Sequence, residues 1–164
     1  MCIRDRFRHR AVQTSALDVN AVVREVLALS ATRLQEHQVT VAMSLAGDLP
    51  AVQGDRIELL QVLLNLIANA IDAMERVERA QRRITITTSR LDQGAVAVAV
   101  KDCGIGLDAV DMQRMFTLSY TTKAAGTGVG LSVSRSIVEA HGGRIWASPN
   151  PDRGATFSFS LPAS

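Results

Sequence analysis

Aromatic side chains are scarce, with four Phe, one Trp and one Tyr among 164 residues. Six rings, Trp146 included, suit core or surface packing better than a stacking platform. Charge of one sign is also lacking, since 18 Lys and Arg against 16 Asp and Glu leave a formal +2. Neither a strongly basic nucleic-acid binder nor a disordered acidic tail is indicated. The two cysteines, Cys2 and Cys103, cannot build a disulfide framework and match no zinc spacing, so a reducing compartment is expected. No hydrophobic run is long. The stretch 59–71 is interrupted by Gln61, Asn65 and Asn69, well short of the ~18 residues of a membrane helix, and a soluble chain is expected. What is abundant is aliphatic matter: 47% of the chain is hydrophobic, enough at this length for one ordinary core.

The opening MCIRDRFRHR has no apolar period and no secretory core, and its first six residues agree with no pattern in the rest of the chain. From Asp18 on, Val19, Val22, Val23, Val26, Leu27 and Leu34 fall at helical spacing behind a capping residue. Residues 39–45 alternate like a strand, and the most strongly helical segment runs from Asp55 to about residue 79. Residues 83–89 and 94–100 read as a hairpin around Asp92-Gln93-Gly94. Residues 104–130, rich in Gly, Thr, Ser and Met, are too long for an ordinary connection and suggest a lid with at most a short helix near 108–114. A helix over 130–140 stops at His141-Gly142-Gly143, and strands over 144–147 and 155–161 complete the chain. Two strand pairs adjacent in sequence disfavour a doubly wound fold. The order predicts an α+β two-layer sandwich, a mixed, mostly antiparallel sheet with helices on one face.

Three segments carry chemistry. On the buried-type helix from Asp55, Gln61, Asn65, Asn69 and Asp72 succeed each other at spacings that put them on one face. The stripe is either a solvated or internally satisfied face, or a set of amides offering oxygen to a hard cation and N–H to phosphate. Asp102-Cys103-Gly104-Ile105-Gly106 comes directly after a strand. It reads as an Asx-type turn, or as a buried carboxylate that accepts the exocyclic amine of adenine beside glycines that allow close approach. Gly126-Thr127-Gly128-Val129-Gly130 leads into a helix, as a flexible hinge or as N–H groups that wrap a polyphosphate. It is neither a P-loop nor the dinucleotide G-x-G-x-x-G. Lys123 lies three residues before these glycines and can reach outer phosphates from a closing lid. His9, His37 and His141 have no convincing carboxylate or nucleophile company and suit structural or exposed positions. Cys103 has no neighbour that would activate a thiol.

In this order the segments resemble the N, G1, F and G2 boxes of the GHKL (Bergerat-fold) ATP-binding domains, in particular the catalytic domain of bacterial sensor histidine kinases of the nitrogen-regulation and oxygen-sensing type. The matching lines are residues 61–70, Asp102-Cys103-Gly104-Ile105-Gly106, Thr121-Thr122-Lys123, residues 126–132, and Gly154-Ala155-Thr156-Phe157. The resemblance implies a Bergerat fold with a mobile ATP lid, residues 17–164 as the catalytic domain, and residues 1–16 as an edge, either the end of a dimerisation helix or non-native sequence.

It also implies ATP and Mg²⁺ as cofactors. Asn69 would hold Mg²⁺ and the phosphates, supported by Asn65, with Asp72 close by. Asp102 would bind the adenine amine, with Thr156 sharing a bridging water, and Gly104 and Gly106 would shape the adenine floor. Thr122, Lys123, Gly126, Thr127, Gly128, Val129, Gly130 and Leu131 would surround the phosphates. Asn65, Asn69 and Lys123 would be the catalytic set. The related topoisomerases, chaperones and mismatch-repair ATPases carry a glutamate base where this chain has Asn65, and an amide is no base at neutral pH. The implied reaction is therefore transfer of the γ-phosphoryl group to a histidine on a separate dimerisation domain, followed by a response regulator. No phosphoacceptor sequence is present, and Ser119 replaces a usual lid aromatic. A nucleotide-binding regulatory module without kinase activity, or a GHKL ATPase, are the other readings. No nucleic-acid or membrane partner is implied for this chain, and its expected location is cytoplasmic whether or not the parent protein is membrane-anchored.

Overall fold

A computed structural model describes residues 14–104 and 128–163. Its two long helices begin alike. The Asp18 carboxylate accepts the N–H of Asn20 at 3.0 Å and starts α1, Val19–Glu36. Asp55 Oδ1 accepts the N–H groups of Ile57 and Glu58 at 2.9 and 3.2 Å and starts α2, Arg56–Ala73. Each aspartate satisfies donors that a first helical turn leaves unpaired. Burial of Leu59, Leu60, Val62, Leu63, Leu66, Ile67 and Ile71 covers most of the circumference of α2, which makes it the central helix of its layer.

α2 stops at Ala73, earlier than its apolar pattern suggests. The Arg82 guanidinium donates to the carbonyls of Val77, His37 and Glu75 at 3.0, 2.7 and 2.9 Å. One cation thus closes the C-terminal ends of α1 and α2, where the helix dipoles favour positive charge.

The main sheet has five strands: β2, Thr40–Ser44; β4, Arg83–Arg90; β5, Val96–Asp102; β6, Arg144–Pro149; and β7, Ala155–Leu161. Their order is β2-β4-β5-β7-β6. Only β2 and β4 are parallel, because α2 crosses over between them; the other pairs are antiparallel. The register Val96↔Leu161, Val98↔Phe159 and Val100↔Phe157 puts six apolar side chains on one face. They pack with Val23, Val26, Leu63, Leu66 and Val138 in a single core. The third described helix, α3, is Gly128–Ala140. Gly142 is left-handed, with φ 79°, and Gly143 donates to the Val138 carbonyl at 2.9 Å, so the glycine pair ends α3 as expected.

The architecture is the expected mixed, mostly antiparallel α+β sandwich. A further two-stranded sheet is not legible in the sequence: β1, Thr14–Leu17, pairs antiparallel with β3, Val52–Asp55. Each is four residues long and without alternation, so neither carries a period-2 signal. His141 is structural, as expected. Its Nδ1–H donates to the Ile137 carbonyl at 2.8 Å and its Nε2 accepts the N–H of Asp55 at 3.0 Å, tying the end of α3 to the start of α2. No described helix is long and apolar enough to cross a membrane. The lid and the short helix expected near 108–114 lie outside the described residues.

Candidate nucleotide site

β5 delivers Asp102 to the face covered by helices, in alternation with Val96, Val98 and Val100. The side chain is buried, at 2% exposure. Its Oδ1 accepts the N–H groups of Gly104 at 2.8 Å and Ala155 at 3.2 Å, one from the turn after β5 and one from the start of β7. Both flanking glycines are sterically required. A Cβ on Gly104 would lie 2.5 Å from the Ala73 carbonyl oxygen, so the chain leaves β5 against the last turn of α2. Gly154 is left-handed, with φ +87°, and a Cβ there would collide with the Asp102 carbonyl oxygen.

Asn65 holds the other end of the same helical stripe. Its Nδ2 donates to the Gly130 carbonyl at 3.0 Å and to Ser134 Oγ at 3.1 Å, and Ser134 Oγ itself donates to Gly130 at 2.9 Å. Ser134 is fully buried. This triangle fixes the first turn of α3, the end of the helix at which the dipole is positive. Gly128 and Val129 contribute their backbone to that turn, and Leu131 does too, because its side chain belongs to the core.

Asn69 sits between the two ends. It is 6% exposed, and no hydrogen bond ties its side chain to a described residue. One turn before it Asn65 meets α3; one turn after it Ala73 meets Gly104. From Asn65 to Ala73 the helix rises about 12 Å, a length that suits an extended nucleoside triphosphate.

Two expected ligands stand elsewhere. Thr156 is directly opposite Lys101 in the β5–β7 register, so it lies on the other face of the sheet from Asp102. Its hydroxyl donates to Asn150 Oδ1 at 2.5 Å, and it is Ala155 that shares the face of Asp102. Parity of the register, which the motif alone does not give, thus sets Thr156 against Asn150 on the face opposite Asp102. Asp72 faces α1, with Arg33 at 3.5 Å. Gly106, Thr122, Lys123, Gly126 and Thr127 lie outside the described residues. Asn150 and Ser134 hydrogen-bond to residues of the candidate site, and the sequence alone does not single them out. Asn150-Pro151-Asp152 has the composition of a turn, the one signal that points there. In that turn the Asp152 carboxyl is held below its usual range, first by the N–H of Arg153 and then by its own, with Lys101 adding to the effect and slight burial opposing it.

Among the described residues no group of three or more His, Cys, Asp and Glu side chains converges on a metal site. On the α2 stripe the buried amide that bonds no described residue, Asn69, is the donor left for a hard cation.

The family model for histidine kinase-, DNA gyrase B- and HSP90-like ATPases matches residues 54–164. The chain belongs to this family. Among curated proteins it is 40% identical over 146 residues to the sensor protein FixL of Bradyrhizobium diazoefficiens, covering 89% of this chain and 28% of FixL. The nucleotide-free catalytic domain of the histidine kinase ThkA superposes with a TM-score of 0.80 at 32% identity, covering 92% of this chain and 95% of that one. Full-length ShkA in complex with AMPPNP gives 0.79 at 27% identity, over 92% of this chain and 31% of ShkA. ThkA bound to the response regulator protein TrrA gives 0.80 at 28% identity, over 99% of this chain and 45% of that one. The fold is that of a histidine kinase catalytic domain, and the chain spans less than a third of the FixL length.

Proposed function

We propose that the chain binds ATP along α2, with adenine at Asp102 and the phosphates at the start of α3, and transfers the γ-phosphoryl group to a histidine on a separate dimerisation domain. The observation that carries this reading is the stripe Asn65–Asn69–Ala73. It joins a braced helix N-terminus to a buried carboxylate, and the amide between them bonds no described residue. At the purine end, the Asp102 carboxylate would accept the exocyclic amine of adenine; guanine presents an oxygen there and would leave two acceptors facing each other. At the far end, the N–H groups of the first α3 turn would take phosphate charge. Lys123, Thr122, Gly126 and Thr127 complete that cradle in the proposal, and Gly106 completes the purine floor.

Asn69 Oδ1 would hold Mg²⁺, which when bound neutralises phosphate charge. The reaction breaks the bond from the γ-phosphorus to its bridging oxygen, leaving ADP, and forms a P–N bond to the imidazole, which gives up its proton. Asn65 cannot serve as a base: it is an amide, and its N–H groups are spent on Gly130 and Ser134. Activated water is thus disfavoured relative to an external nucleophile. In this reading the catalytic unit is residues 17–164, with Thr14–Leu17 as the edge strand that pairs with β3. The remaining N-terminal residues would lead to the phosphoacceptor domain, and a response regulator would receive the phosphoryl group next, a step supported by the ThkA–TrrA complex.

The test is incubation of the chain with Mg-ATP labelled at the γ position and a histidine phosphoacceptor domain from a relative. Acid-labile, base-stable labelling of the histidine is expected, with slow phosphate release in its absence. ATP binding with no transfer would mean a regulatory module, and fast steady-state phosphate release would mean an ATPase.

A further inference from the structure

We propose that Asn150 is a positioning residue for purine selection: from outside the pocket, its side-chain amide holds the end of β5 so that the Asp102 carboxylate is aimed at the base. This rests on the reading that Asp102 recognises adenine. Asn150 is the first residue after β6, and every polar group of its amide is engaged. Nδ2 donates to the Asp102 carbonyl at 2.8 Å and to the Arg153 carbonyl at 2.9 Å, while Oδ1 accepts the Thr156 hydroxyl at 2.5 Å. Its backbone N–H donates to the Gly154 carbonyl at 3.0 Å. The two carbonyl partners, which can only accept, fix which way the amide is turned.

The β5–β7 ladder ends at the pair Lys101↔Thr156. Asp102 lies one residue beyond it, and on that side the Asn150 amide takes over its carbonyl. The same amide folds the turn that brings the Ala155 N–H to Asp102 Oδ1 at 3.2 Å. Gly154 is pressed against Asp102 too closely for any side chain. Movement of this turn therefore moves the carboxylate, and hydrogen-bond strength falls steeply with misalignment. Thr156 keeps a function in this arrangement, as the donor to Asn150 Oδ1.

The test is calorimetry of the full chain with Mg-ATP and Mg-GTP. Loss of the three side-chain hydrogen bonds in Asn150→Ala should weaken ATP binding roughly 5- to 20-fold while leaving GTP nearly unchanged, so that the preference falls. Asn150→Asp, which offers oxygen where N–H is needed, should lose the preference as fully. Thr156→Val should shift it the same way by about 2- to 3-fold, and the double variant should be no worse than Asn150→Ala alone. Equal weakening toward both nucleotides, or an unchanged ratio in folded Asn150→Ala, would overturn the proposal. If that variant does not fold, an unchanged ratio in Thr156→Val does so instead. Asp102→Asn run in parallel separates the two levels. If it leaves the ratio intact, adenine recognition by Asp102 itself fails; if it collapses the ratio while the Asn150 variants do not, only the positioning role fails.

Discussion

The two ends of the α2 stripe are built from different materials. At the Asp102 end, a side-chain carboxylate is held by backbone: N–H groups from Gly104 and Ala155, and two glycines whose missing Cβ atoms permit the contacts. At the Asn65 end, backbone is held by side chains: an amide and a hydroxyl grip the Gly130 carbonyl and thereby set the first turn of α3. The contrast matches the two kinds of ligand group in the proposed placement of ATP. A base must be distinguished by the direction of one hydrogen bond, which needs a carboxylate that does not swing. A phosphate is met by several N–H groups at once, and what has to be placed is the helix that carries them.

The largest effect should come from breaking the first end at its centre. Asp102→Asn keeps the shape and the oxygen facing Gly104 but exchanges the other acceptor for a donor, so ATP affinity should fall about 10- to 100-fold, the scale of a charge-assisted hydrogen bond. The ATP:GTP ratio in a binding titration checks this. Gly154→Ala strains the same end through backbone alone, and should cost about 1–3 kcal/mol in a denaturant melt; Gly47→Ala, where a Cβ meets nothing within 4 Å, serves as the control.

Asn65→Ala attacks the other end. Removing a donor from the Gly130 carbonyl and Ser134 should cost about 1–3 kcal/mol of stability and weaken ATP while sparing adenosine, as measured by melts and paired titrations. Asn69→Ala should be the mildest for folding, since its side chain bonds no described residue. It should lower Mg²⁺-dependent ATP affinity more than adenosine affinity, and equal losses would mean that the helix itself had been disturbed.

Legibility in the sequence also divides between the two ends. The helices declare themselves through period and caps, with Asp18 and Asp55 in place, and β5 and β7 through alternation. Asp102, Asn65 and Asn69 are legible as chemistry because a carboxylate ending a strand and amides on an apolar helix are locally out of character. What a residue touches across the fold is not legible. Thr156 sits in a matching motif, yet its face depends on a pairing register that no local pattern states. Gly104 looks like a floor for a ligand, and its first constraint is the Ala73 carbonyl. Asn150 and Ser134 are ordinary in sequence, and their importance arises from partners 48 and 69 positions away. β1 and β3 are too short and irregular to register at all.

The most direct measurement is a pair of amide-shift titrations on the isotopically labelled chain, one with adenosine and one with magnesium triphosphate. Adenosine should move the amides of Gly104 and Ala155, and triphosphate those of Gly130 and Leu131, with little crossing between the two sets. If adenosine instead perturbed the start of α3, or if neither ligand moved either set in folded protein, the placement of a nucleotide along α2 would be contradicted.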